Sequence, residues 1–369
     1  MNAWHSPLLQ RITYLAVLTA ISGFVLILFL RPTDRHTGIN QYYRSKFLDM
    51  VEGKAHRPFV YRTLLPTTVR IASSLVPDQY RQACADLVEQ HYLTRRIFGE
   101  FRWESGAAFE YVLASLLMLL CFMGFAHCVV RLTERACAVP DASCARFLLA
   151  TGALVGLPPF FRYTSFPYDP PQLFLFTLAL YFLAAHRSRA FLIAFVLCCL
   201  NKETAVLLIP LYGLTFRNRS APRRRYWSTM LALIVVYVSI KLALTWIFHA
   251  TPGSFVEFHL RHNAEWFTRG WTFTDAAVLL SLAALLVFRW SEKPAFLRVS
   301  FICVFPPMAA LALFLGYVDE WRGYYEAYPI AFGLVVDSLL RLRDVLCRDL
   351  GIGQPEHSAD DQWPLERGQ

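Results

Sequence analysis

The chain has 369 residues, 56% of them hydrophobic and only 17% charged, with 30 phenylalanines, 17 tyrosines and 9 tryptophans. Apolar runs of about 20 residues recur along it, each enough to cross a hydrocarbon core as a helix and far too long for barrel strands. The net charge of +9 does not call for nucleic acid, because basic residues gathered in short loops are what orientation by the positive-inside rule produces.

The first run, 12–30, is too long for the apolar part of a cleaved signal. It ends at Arg31 and Pro32 without a small-residue cleavage site, so it reads as a retained span. Residues 31–105 contain nothing long enough to cross. Their segments 63–75 and 80–98 have helical periodicity and read as helices lying in the headgroup plane. Spans at 107–130 and 147–161 follow. A short loop, 162–171, then leads through Asp169, Pro170 and Pro171 into a fourth span reaching about residue 185.

Topology turns on the run 190–216, apolar except for Asn201, Lys202 and Glu203 at its centre. Charges in the middle of such a run are costly in lipid. As one span, the run places Arg217, Arg223, Arg224 and Arg225 on the face opposite the block from Arg131 to Arg189. As two half-length helices of about 11 and 13 residues, roughly 17 and 20 Å long, it returns every basic block to one side. Short inner segments then carry 16 lysines and arginines against 5 outside (Arg162, Lys202, Arg261, Arg269, Arg322). Further spans are expected at 226–248, 273–290, 296–317 and 328–340. The expected fold is an all-α polytopic membrane helical bundle, one domain over 1–340 with about ten membrane helices, both termini inside, and a polar cytoplasmic tail at 341–369. Only Cys84 of the 9 cysteines falls in an outer loop, so no structural disulfide is expected.

This topology gathers polar residues on the outer face, and each has a plain reading beside a functional one. Asp34, four residues past the first span, is either a solvated loop carboxylate or a general base at the membrane surface. Arg62, between Pro58 and Pro66 among apolar neighbours, either snorkels to headgroups or forks around a phosphate. Lys202 and Arg322 offer further cations on that face. Asp169 is placed to serve a helix start. Lys202 and Glu203, adjacent in the chain, point apart and each needs its own partner. Asp319, Glu320, Arg322 and Glu326 lie among aromatic residues that also suit an interfacial belt. Lys241, about 8 residues from the outer end of its span, can snorkel, Asp337 lies near the inner end beside Arg341, and neither is counted in the site. His259 and His262, near Glu257, lack a third metal ligand.

With these residues placed, the chain resembles the GT-C superfamily of integral-membrane glycosyltransferases. The resemblance rests on Asp34, Tyr42 and Tyr43 after the first span, a long first outer loop, Asp169 before the fourth span, and the short-helix pair turning at Asn201, Lys202, Glu203 and Thr204. Segments 58–66 and 320–329 also resemble stretches of bacterial membrane proteins grouped near these transferases. It implies inverting transfer of a sugar from a polyprenyl-phosphate carrier to a glycan, lipid or protein acceptor, at the periplasmic face of a bacterial inner membrane. Asp34 or else Asp169 is then the base. Arg62, Lys202, Arg322, Tyr42, Tyr43, Glu203 and Glu320 bind the donor. No metal ligand is assigned, since Asp34 is followed by Arg35 and His36 rather than a second acid. Two other classes stay open: a transporter or flippase, whose broken helices and buried charges look similar, and a non-catalytic partner in envelope polysaccharide assembly.

Overall fold

The computed structural model describes residues 7–33, 36–137, 139, 143–161, 163–217, 223–254 and 258–350. Apolar runs have only their own backbone to satisfy their peptide groups, and among the described residues every regular element is helical. Helix α1 (Pro7–Leu30) stops at Arg31 and Pro32. Four helices occupy the first loop: α2 (Phe47–Glu52), α3 (Leu64–Leu75), α4 (Asp78–Gln90) and α5 (Tyr92–Phe101). The expected helix at 80–98 is two, because His91 adopts an extended backbone between α4 and α5. The bundle continues with α6 (Ala108–Ala136), α7 (Ser143–Val155), α8 (Asp169–Ala184), α9 (Ser188–Asn201), α10 (Leu208–Phe216), α11 (Arg223–Ile247), α12 (Leu260–Arg269), α13 (Phe273–Val287), α14 (Ala295–Leu315) and α15 (Tyr328–Asp349).

Five segments are long and apolar enough to cross a membrane, namely those of α1, α6, α7, α11 and α14. A sixth arises if α12 and α13, bent by 102° at their junction, are taken together. The remaining expected spans are shorter or more polar. Helix α8 has 16 residues, α9 has 14, and α15 carries charges through its second half, from Asp337 to Asp349. Among the described side chains, α11 buries only Leu233 and Leu244, and α13 buries none. Apolar helices so little covered by protein belong in hydrocarbon.

Two large apolar clusters hold the bundle. One joins α1, α6 and α7 to the first loop; the other joins α8, α9 and α10 to α14 and α15. A third, smaller one packs the first loop on Phe166, Tyr168 and Leu244 of α11. Between α9 and α10 the chain turns back on itself. Lys202 is extended, a 3-10 turn follows over Glu203–Leu207, and Tyr212 stacks on Phe191 with ring centroids 5.6 Å apart. A continuous helix would separate those two residues by about 30 Å.

The first loop is fastened to the ends of these helices. Thr63 N–H donates to the Leu200 carbonyl at 3.1 Å, Arg57 N–H to Pro252 at 2.8 Å and Thr37 N–H to Tyr163 at 2.8 Å. Gly253, at φ 107°, is required at the second tie, since a Cβ there would lie 2.5 Å from the Arg57 carbonyl oxygen. His36 makes a further tie. Its Nδ1–H donates to the Arg31 carbonyl at 2.8 Å, which leaves Nε2 to accept from the Ser165 hydroxyl at 2.7 Å. Burial pushes this imidazole below the ordinary histidine value, against a smaller upward pull from the Arg31 bond. The neutral ring therefore stabilises the fold fully above the unfolded value of about 6.5. That stabilisation is lost as pH falls through the lowered native value. Thermal unfolding in detergent between pH 7 and pH 5 (about the window set by a lowered histidine) will show an acid-side loss in wild type that is flattened in His36→Asn. Equal acid sensitivity in both would remove His36 from that role.

Candidate functional site

Four stretches far apart in sequence meet where α9 ends and α8 begins. The first loop supplies Arg62. It leaves a 3-10 turn over Phe59–Tyr61 and is positioned by the Thr63 bonds to Leu200. Its side chain is only 13% exposed and turns inward rather than to headgroups. The guanidinium lies 4.2 Å over the Tyr168 ring and 5.4 Å from that of Phe59, and Nη1 donates to the Tyr168 hydroxyl. Arg62 Nε is 3.5 Å from Glu203 Oε2. An arginine held by ring faces and a carboxylate keeps a fixed orientation.

Asp169 opens α8, with Pro170 and Pro171 fixing the backbone of the first turn. Its own side chain caps nothing. Asp169 is 1% exposed, and both carboxylate oxygens are buried without a hydrogen-bond donor. Burial itself works most strongly against its charged form; Arg322, Lys202 and Arg62 favour that form, and Glu326 opposes them. Its position in the first turn still suits the helix dipole, but no amide of the helix start is bonded to it.

At the reversal, Lys202 and Glu203 do face different partners. Lys202 Nζ is 3.1 Å from Glu326 Oε1, whereas Glu203 pairs with Arg62. Glu326, in the turn before α15, is fully buried. Besides Lys202 it accepts from the Thr204 hydroxyl, and from Gln172 Nε2 at 3.3 Å. Asn201 Nδ2 donates to the Tyr168 carbonyl at 2.9 Å and to Gln172 Oε1 at 3.1 Å. Helix α11 closes one side: Tyr237 donates to the Glu203 carbonyl at 3.1 Å, and Lys241 to the Cys199 carbonyl at 2.8 Å. Lys241 thus turns inward and satisfies a carbonyl in the last turn of α9.

Arg322 completes the group. Its guanidinium lies 4.2 Å over Phe166 and its Nη2 is 2.6 Å from Glu320. Phe166 stacks between Phe59 and Tyr168, at 5.2 and 5.1 Å, so one aromatic wall carries both arginines. Tyr42 joins that wall edge-on against Phe59 and Phe166. Tyr43 lies at the outer edge, 60% exposed, its ring 5.7 Å from that of Tyr42 and also against His56 and Arg44. Asp34 lies outside the described residues, as does Glu257.

The structure brings together Arg62, Asp169, Lys202, Glu203, Glu320, Arg322 and Tyr42. Sequence reasoning passed over Glu326, Gln172, Thr204, Asn201 and Lys241 as site residues. Gln172 carried a signal, being three residues after Asp169 and so on the same face of an otherwise apolar helix. His259 and His262 pack on Tyr317 at 4.2 and 4.8 Å. Among the described residues no group of three potential metal ligands converges, and the 9 cysteines are free thiols. A cavity of about 310 Å³ beside Asn40, Asp49, Glu104 and Tyr111 shares no residue with the cluster.

Chemically, the cluster is an array of open hydrogen-bonding positions. Its buried atoms without hydrogen bonds are Asp169 Oδ1 and Oδ2, Glu326 Oε2, Glu203 Oε1 and Asn201 Oδ1 on the acceptor side, and Arg322 Nε on the donor side, with Arg62 Nε held only through its ion pair to Glu203. Each such group costs about 1–3 kcal/mol. Acceptors outnumber donors, which suits a ligand rich in hydroxyl groups. Comparison with known families, curated proteins and solved structures finds no match.

Removing one partner of a buried ion pair strands the other. Glu326→Ala, which leaves Lys202 uncompensated, is expected to cost about 3–5 kcal/mol. Glu52→Ala, which removes an exposed partner of Lys54, is expected to cost under about 1 kcal/mol. Melting of the two variants in one detergent checks this, and equal effects would contradict the buried pair.

Proposed function

We propose that the chain is a multi-pass inner-membrane glycosyltransferase of GT-C type, whose site opens to the periplasmic face. It moves a sugar from a polyprenyl-phosphate carrier to an acceptor hydroxyl, with inversion. The observation that carries this reading is Asp169: a buried carboxylate with two open oxygens, set among three cations. Such a carboxylate is placed to take a proton from a hydroxyl rather than to hold the fold together.

The step asks little else of the protein. The acceptor oxygen forms a bond to the anomeric carbon as the bond from that carbon to the phosphate oxygen breaks. The bonding electrons leave with the phosphate, and the acceptor proton passes to Asp169. A phosphate is a stable anion on departure, so it needs positive partners more than a proton donor. Arg322 retains an Nε without a hydrogen-bond partner, Arg62 Nε is held only by Glu203, and both guanidiniums are oriented on one aromatic wall. Their carboxylate partners, Glu203 and Glu320, are exchangeable for phosphate oxygens of the same charge sign. Lys202 contributes charge while held by Glu326. The short α9 and α10 leave the reversal between longer helices, where an isoprenoid chain has access from the side.

Reconstituted protein supplied with radiolabelled undecaprenyl-phosphate hexoses and membrane-lipid or glycan acceptors is the test. Wild type is expected to form a covalent glycosylated product, and Asp169→Asn to lower the rate by about 10²–10⁴ with unchanged melting. Full activity of Asp169→Asn would remove that residue from the base role. Movement of labelled sugar into vesicles without covalent product would assign the chain to transport instead.

A further inference from the structure

Helix α12 lies outside the bundle, at the same end as the cluster, and nothing in the proposed reaction uses it. Its sequence separates cleanly by face. Leu260, Ala264 and Phe267 recur at three- and four-residue spacing around Asn263, while Arg261, Glu265 and Arg269 share the opposite side. Arg261 and Glu265 pair in the open at 3.3 Å, with side-chain exposures of 94% and 62%.

Only one residue of this helix is buried. The Asn263 amide donates to three carbonyls at the end of α14, those of Ala312, Leu313 and Gly316, at 2.8 to 3.0 Å. Its Oδ1 accepts from Val318 N–H at 3.1 Å. His259 N–H adds a bond to the Phe314 carbonyl at 3.0 Å. These bonds satisfy carbonyls that a helix end leaves open and fix the rotation of α12 about its axis. Fixed so, the helix still leaves Phe267 48%, Leu260 48% and Trp271 39% exposed. The aromatic side chains Trp266, Phe267 and Trp271 contact one another, and the chain then bends by 102° into α13.

We infer that α12 rests on the lipid surface, with its aromatic face at the boundary between headgroups and acyl chains and its charged face in water. Continuity decides the occupant. Helix α13 is apolar and without buried residues among those described, so the surface that α12 extends is itself a lipid-facing one. Tryptophan and phenylalanine on one side with arginine on the other is the composition that such a boundary selects. The near-right angle between the two helices is what a surface helix leading into a lipid-embedded one requires. The inference shares with the proposed function only the premise that α13 meets lipid.

A fluorescent amino acid reports the environment at single positions in the full chain. Phe267→dansylalanine, Arg261→dansylalanine and Leu280→dansylalanine, each in phosphatidylcholine nanodiscs bearing a nitroxide near the top of the acyl chain, give the comparison. Leu280, 71% exposed on α13, reads the premise. Quenching severalfold stronger at 267 than at 261, with 280 also quenched, is the expected result. Strong quenching at 280 with equal, weak quenching at 267 and 261 would overturn the inference and leave the membrane reading intact. No quenching at 280 would overturn both.

Discussion

A charge buried in an apolar run needs an opposite charge or a hydrogen-bonding partner, and this requirement shapes the site end of the molecule. Lys202 and Glu203 stand side by side at a chain reversal, yet they draw on different parts of the sequence. Lys202 reaches Glu326, ahead of α15, and Glu203 reaches Arg62, in the first loop. The peptide that carries them is pinned by Thr63 to Leu200 and by Tyr237 to Glu203. A break in either ion pair leaves an uncompensated ion in a poorly solvated place, which costs far more than the pair contributes in water. The reversal therefore fixes where the first loop, α8, α11 and the turn before α15 can lie.

The charges around this point balance in number. Arg62, Lys202, Arg322 and Lys241 stand against Asp169, Glu203, Glu320 and Glu326. Three carboxylates take three cations as direct partners, and Lys241 takes a backbone carbonyl. Asp169 alone is left with charge around it and no hydrogen bond to it. A fold selected only for stability would fill that position with an apolar residue or supply a donor. On the proposed reading this carboxylate is the base, and the ion pairs around it offset the cost of keeping it.

Long elements were legible in the amino-acid sequence for simple reasons. Helices α1, α6, α11 and α14 are runs whose summed apolarity leaves no alternative in water. The reversal was legible because Asn201, Lys202 and Glu203 interrupt such a run. Partner choice was not. The segment from Asp319 to Glu326 holds three carboxylates among aromatic residues, and local pattern does not say that Glu326 turns inward while Glu320 stays with Arg322. Lys241 read as a lone intramembrane cation because its partner is a backbone carbonyl, which has no sequence signature. The break at His91 has neither proline nor glycine to mark it. Helix α12 is amphipathic over only ten residues, too short to stand out beside the spans.

The account depends on what meets Asp169. A cryo-electron microscopy map of the protein in nanodiscs with an undecaprenyl-phosphate hexose and an acceptor analogue tests it most directly. The prediction is an acceptor hydroxyl within about 2.6–3.2 Å of an Asp169 oxygen, with the donor phosphate against Arg62 and Arg322. A donor bound elsewhere, or Asp169 closed onto one of the cations with no hydroxyl beside it, would contradict the account.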